Sequence, residues 1–288
     1  MANFADIAAK ENPQSILLYG RSKAGKTELA AKLANEGYKL IWIDMEKGSQ
    51  TLTHAIKPEF FKNVTYISIP DTLENPVAIV TVGKLMASKV PVTVCDKHGV
   101  IACPFCKTNL ETIDLTNLGP DTVLVLDTGT QLSDSALAYV MKEENKKMFT
   151  AFERADFDAY GHQTRLLNSV FSNLQQKACH RILITHEEII EQTDGTKLIM
   201  PKCGTKNYSR NFPRFFDHVV YCYVSNKDHK VASDTAFNTR ILTGSRSAIA
   251  MEKGASLKDL LLAGKMEHAQ NVVSGQKDKT ADYGSVDT

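Results

Sequence analysis

Residues 20–27 read GRSKAGKT, set between the apolar run Ser15-Ile16-Leu17-Leu18-Tyr19 and the segment ELAAKLA at 28–34. Gly20, Gly25, Lys26 and Thr27 fill every fixed position of the phosphate-binding pattern G-x-x-x-x-G-K-[ST]. Such a loop works because glycines let backbone N–H groups curl around a β-phosphate at the amino end of a helix, where the helix dipole also favours negative charge. Arg21, Ser22, Lys23 and Ala24 form the body of the loop. Lys26 is expected on the β- and γ-phosphates and the Thr27 hydroxyl on one position of Mg2+. The flanks agree, with a buried strand before the loop and a helix after it that Gly37 closes.

Working outward, KLIWID ending at Asp44 and VTYISIP ending at Pro70 read as strands, and NPVAIVTVGKLMAS reads as a helix opened by Pro76. Strand alternating with helix predicts an α/β fold with a mostly parallel central sheet. After Val90 the periodicity breaks, and residues 91–110 are read as a small insertion. The core resumes with DTVLVLD, helices around Leu132–Lys147 and Tyr160–Lys177, and the strand HRILIT ending at Thr185. DHVVYCYV, NTRILTG and SAIAME read as shorter, antiparallel strands on one edge. The expected organisation is a core of residues 1–90 and 111–264, the insertion, and a polar, flexible tail at 265–288.

A chain of 288 residues with a formal charge of +1 supports one large domain, and any nucleic-acid surface has to come from local clustering of Lys and Arg. The amino terminus lacks the basic flank and apolar stretch of a secretory signal, and no run approaches the roughly 18 apolar residues of a membrane span. A cytoplasmic protein with no membrane partner is expected. Its six cysteines then suggest metal binding or free thiols rather than bridges.

Mg2+ needs a second anchor, an acid at the end of a buried strand, and Asp127 ends TVLVLD. Hydrolysis needs a carboxylate for the attacking water. Thr128, not an acid, follows Asp127, whereas Glu46 lies two residues beyond Asp44 at the carboxyl edge of the sheet, and is the candidate base. The Ile43-Asp44-Met45-Glu46 setting resembles the RecA-like ATPases, which place the catalytic glutamate after the second core strand. Together with VLVLDT, DAYGHQTRLLNSVFSNL, ILITHEE and FFDHVVYCYV, from about Ile16 to Lys253, it resembles more closely the phage RecA-like single-strand annealing proteins of the Sak type.

The resemblance implies a RecA-like P-loop NTPase core that uses ATP and Mg2+. It implies a polar sensor at Thr185 and His186 that couples the γ-phosphate to a DNA loop; a histidine capping a strand end is the structural alternative. Related hexameric ATPases carry a Lys-x-Arg pair that reaches a neighbour's phosphate. The matching stretch here is Met251-Glu252-Lys253, so Lys253 and Arg246 are the trans-acting candidates.

Cys95, His98, Cys103 and Cys106 offer three thiols and an imidazole in two close pairs, which suits a closed tetrahedral Zn2+ site of structural type. Lys97 and Lys107 flank it, open to DNA, a partner or plain solvent. Cys179, Cys203 and Cys222 lack such spacing and read as core or loop thiols.

The segment DGTKLIMPKCGTKNYSRNFPRFFD carries Lys197, Lys202, Lys206, Arg210 and Arg214 with Tyr208 and Phe212 interleaved. Cations for phosphates and aromatic faces for bases are what sequence-tolerant binding of single-stranded DNA requires. A solvated basic loop with its aromatics packed inward is the alternative. Lys146, Lys147 and Arg154 are further phosphate contacts in a stretch of mixed charge. The leading reading is an ATP-dependent, oligomeric single-strand-binding ATPase that promotes annealing, with a single-strand-binding protein as helper. Its rivals are a nucleotide-switched binding module with negligible turnover, a helicase-loader ATPase, and a small-molecule kinase, for which no arginine-rich lid is evident.

Overall fold

The computed structural model describes residues 12–95, 97–101, 103, 106, 110–145, 155–232, 240–246 and 256–262. Lys107, Lys146, Lys147, Arg154, Lys253, the stretch 247–252 and the tail from 265 lie outside these residues.

β1 (Ser15–Gly20) is buried along its whole length and alternates between two apolar layers. Ile16 and Leu18 face a layer that includes Ala30, Leu33, Trp42 and Val125, while Leu17 and Tyr19 face one built on Leu85, Leu132, Phe171 and Phe212. A strand apolar on both faces belongs in the middle of a covered parallel sheet. Among the described residues the main path runs β10-β9-β1-β7-β6-β2-β3. Its members are β2 (Lys39–Asp44), β3 (Val64–Ser68), β6 (Thr122–Asp127), β7 (His180–Glu191), β9 (His218–Ser225) and β10 (Asp228–Ala232).

The helices follow from equally local causes. α1 (Lys26–Ala31) continues as a 3-10 turn that stops at Gly37, whose φ of 94° is open to glycine at little cost. α2 (Ser49–Ala55) follows β2. α3 (Ala78–Ala87) begins where Asp71 accepts the Ala78 N–H at 2.7 Å, two residues beyond Pro76. Asp71 also accepts from Ser135 (2.9 Å) and Gln131 (3.0 Å), tying α3 to α4 (Gly129–Asn145). α5 (Phe157–Gln175) is capped by Asp156, which accepts the Ala159 N–H at 2.8 Å. α6 (Lys206–Asn211) is short.

Three expectations need correction. β7 does not end at Thr185. It runs to Glu191 because its distal half pairs antiparallel with β8 (Lys197–Pro201) around a turn at Gly195. DHVVYCYV is not antiparallel to its inner neighbour, since β9 lies parallel to β1 with Ile16 opposite His218. The reason is the preceding aromatic turn Phe212–Phe215, which packs on Phe171 of α5 and returns the chain to the edge where β1 starts. β10, which the sequence reading did not mark as a strand, and the two-residue β11 (Gly244–Ser245) are antiparallel to β9, but Ile241 of NTRILTG makes only a parallel bridge to Ile199.

The insertion forms its own antiparallel pair, β4 (Val92–Cys95) and β5 (Leu110–Ile113). Val94 and Ile113 join the main apolar layer, so the pair is anchored in the core rather than hung from it.

Gly20 closes β1 against β9. Its φ is +151°, and a Cβ there would stand 2.0 Å from the Cys222 carbonyl oxygen, which a strand backbone cannot yield. Gly20→Ala should therefore destabilise the fold by about 3 kcal/mol or more, seen as a lower urea midpoint.

Candidate nucleotide site and cysteine centre

The carboxyl ends of the parallel strands bring the candidate residues to one level. In the register Gly20 is opposite His186, Asp44 opposite Asp127, and Asp127 opposite Ile184. Asp44 and Asp127 are 1% and 4% exposed, two carboxylates withdrawn from water side by side. Asp44 accepts the backbone N–H of Glu46 at 2.8 Å and of Gly48 at 2.5 Å, and the Tyr66 hydroxyl closes on it from β3. Asp127 accepts the Thr27 hydroxyl at 3.1 Å. Burial first, then the charges of Asp44 and Glu46, push the Asp127 carboxyl up to about 7. A hard divalent cation relieves that repulsion, and the oxygens of Thr27 and Asp127 are the donor types that Mg2+ takes, so these residues fit it.

Lys26 is 6% exposed and donates to the Gly20 carbonyl at 2.9 Å and the Arg21 carbonyl at 2.7 Å. Burial holds its ammonium below the ordinary lysine range, against the pull of nearby carboxylates. Ser22 to Thr27 line a cavity of about 380 Å3 together with Glu46, Asp127, Thr128, His186 and His229. Arg21 points elsewhere, to Glu187 at 2.9 Å.

Glu46 stands in this cavity. Its Oε1 accepts the Thr128 hydroxyl at 2.7 Å, and the His186 Nε2 lies 3.2 Å from it. Burial raises the Glu46 carboxyl, but the bonds to His186 and Thr128 and the Lys26 charge outweigh it and hold the group below the usual range. Glu46 is thus kept ionised and oriented, as a base requires. Thr185, by contrast, is 0% exposed and packed beneath Gly129, so it cannot reach a phosphate. Of the expected sensor pair, His186 alone faces the cavity, and its contact is Glu46. The sequence reading gave Thr128 and Tyr66 no role, because nothing local shows that one donates to Glu46 and the other to Asp44. His229 had no local signal at all, since it arrives from an edge strand.

The three thiols and the imidazole of Cys95, His98, Cys103 and Cys106 present ligand atoms all within 4.8 Å of one another. The three sulfurs lie 3.0 to 3.6 Å from His98 Nδ1. Gly99, at φ 58°, turns the first knuckle against Ile69 and Pro70, and the Thr81 hydroxyl of α3 closes on its carbonyl. Lys97 is exposed beside it. Cys179, Cys203 and Cys222 are buried core thiols.

The basic segment is ordered structure, not an open loop. Lys197 lies on β8, Lys206 and Arg210 on α6, and these three with Lys202 and Arg214 are exposed. Tyr208 corrects the expectation of an aromatic platform, because its ring stacks on Phe212 inside the core, with centroids 6.0 Å apart, and its hydroxyl bonds Asn168. The apolar demand of the core has claimed both rings. Arg246 is ion-paired with Asp217 at 3.0 Å, at the sheet edge opposite the phosphate loop.

Residues 12–249 match the AAA domain family, which is most of the chain, and the protein therefore belongs to that family. No curated protein matches the sequence. Among solved structures the chain is similar to a prototypical ATPase from the type III secretion system of pathogenic bacteria, at 9% identity and a TM-score of 0.42, over 75% of this chain and 53% of that one. The chain thus spans about half the length of that protein.

Two substitutions separate the roles in the cavity. Lys26→Ala should abolish tight nucleotide binding, whereas Glu46→Gln should keep binding and lower turnover by about 10²–10⁴-fold. Equilibrium binding and phosphate release, measured on both variants, check the assignment.

Proposed function

We propose that this P-loop protein hydrolyses ATP with Mg2+ and couples the nucleotide state to single-stranded DNA held on the basic face of β8 and α6. Bound Mg2+ would neutralise charge on the phosphates, with Thr27 and Asp127 as its protein oxygens. Lys26 binds phosphate, and Glu46 orients and deprotonates the attacking water.

One connection carries the reading. The Lys202 N–H donates to the His186 carbonyl at 2.8 Å, while the Thr130 hydroxyl donates to the Lys202 carbonyl at 3.1 Å and accepts the His186 N–H at 3.0 Å. The backbone that presents Lys202 to solvent is thus bonded directly to the residue that holds Glu46. Phosphates neutralised by Lys202, Lys206 and Arg210 would bias the same segment that positions the base, without a long relay. With Tyr208 and Phe212 buried, affinity rests on phosphate contacts and carries little sequence preference. Annealing of complementary strands, assembly into a homo-oligomer and a single-strand-binding helper complete the proposal, in line with the resemblance to phage annealing proteins.

The cysteine centre is proposed to hold one Zn2+ with no open position, a structural role. Its ligands come from a two-stranded unit too small to fold on its own apolar area, so the metal would supply the missing stability.

Two measurements follow. ATP hydrolysis should rise when single-stranded DNA is added. Replacing Lys202, Lys206 and Arg210 together by Ala should remove that rise and flatten the salt dependence of DNA binding by about 2 in log–log slope, at about 0.7 per phosphate contact, with ATP binding intact. Unchanged DNA binding at several salt concentrations would refute the site. Elemental analysis should find about one zinc per chain, and Cys103→Ser should lose it and melt at lower temperature while still binding nucleotide.

A further inference from the structure

The cysteine centre is joined to more than its four ligands. Gly99, the residue after His98, lies so close to the chain after β3 that a Cβ there would stand 2.8 Å from the Ile69 side chain and 3.1 Å from the ring of Pro70. Its N–H donates to the Cys95 carbonyl at 2.8 Å, and the buried Thr81 hydroxyl of α3 closes on its own carbonyl. The knuckle is thus clamped between a metal ligand, α3 and the segment Ile69-Pro70-Asp71.

That segment reaches the candidate base by two routes. The Ile69 N–H donates to the Asp44 carbonyl at 2.8 Å, at the root of the turn that carries Glu46. Asp71 accepts the Gln131 side-chain amide at 3.0 Å, the Gln131 backbone N–H donates to the Thr128 hydroxyl at 3.1 Å, and that hydroxyl donates to Glu46 at 2.7 Å. A closed metal site offers substrate no open coordination place, so it can influence chemistry only through the position of the chain it fixes. A catalytic group misplaced by about 1 Å can cost on the order of 10²-fold in rate. Resting on the readings of ATP hydrolysis and of Zn2+ given above, we infer that metal in the cysteine centre sets the rate of hydrolysis by fixing residues 69–71, with Asp71 and Gln131 as positioning residues for Glu46.

The test strips Zn2+ from the whole chain with phenanthroline, keeps Mg2+ in excess, and measures metal content, equilibrium ATP binding, kcat and thermal melting before and after Zn2+ is returned. Stripping should lower kcat about tenfold and leave the ATP Kd within about twofold, and added Zn2+ should restore the rate. Gln131→Leu, loaded with metal, should show the same split between kcat and Kd. Stripping that variant should then cost less than about threefold more, because the route through Asp71 is already cut. Thr81→Val, which cuts the connection at the knuckle, should keep zinc and ATP affinity and lower kcat. An unchanged kcat in the stripped chain would overturn the inference. So would losses that multiply in full in stripped Gln131→Leu, or an ATP affinity that falls along with the rate. Protein purified without zinc would sink the metal reading, and zinc-loaded protein that binds ATP without hydrolysing it would sink the hydrolysis reading; either result takes this inference with it.

Discussion

The parallel pairing of β2 with β6 sets Asp44 directly beside Asp127, and the rest of the site answers that juxtaposition. Two carboxylates deprived of water repel each other and lack solvation, so each must be supplied with donors or positive charge. Asp44 is satisfied from within the chain by two backbone N–H groups and Tyr66. These bonds make it the post around which the chain bends after β2, delivering Glu46 into the cavity. Among the described residues the Asp127 carboxylate takes the Thr27 hydroxyl and the more distant Lys26 charge, which do not offset its burial and the neighbouring Asp44, so its carboxyl is displaced upward. One acid shapes the turn and its neighbour is left for a cation.

β7 extends this arrangement to the surface. Its first half is a buried middle strand, and its second half leaves the sheet as one arm of a hairpin with β8. The change happens at Thr185 and His186, where the chain passes from core to cavity within one residue. That is why Thr185 is sealed under Gly129 while His186 meets Glu46.

Much of this was legible in the sequence, for identifiable reasons. The phosphate loop, the strands ending at Asp44 and Asp127 and the cysteine spacing are local patterns, and local patterns survive folding. Parallel order followed from alternating strand and helix. What could not be read were pairings between distant segments. KLIMP has no signal that tells it to extend β7, and DHVVYCYV carries no mark of direction, which is set by where Phe212 and Phe215 pack. Tyr208 and Phe212 look the same in a sequence whether they face solvent or the core; burial of their rings depended on α5, whose Asn168 lies 40 residues before Tyr208. His229 was invisible because it reaches the phosphate cavity from an edge strand.

Side chains on a strand alternate in direction, and β7 uses two consecutive positions in opposite senses. His186 grips Glu46, while Glu187 holds Arg21 of the phosphate loop and accepts the Tyr221 hydroxyl at 2.9 Å. The strand therefore behaves as an axle with a crank on each side. Any twist about its long axis that slackens one grip also moves the other, so Arg21 of the loop at 20–27 and the Glu46 carboxylate are tied to each other through the pitch of a single strand.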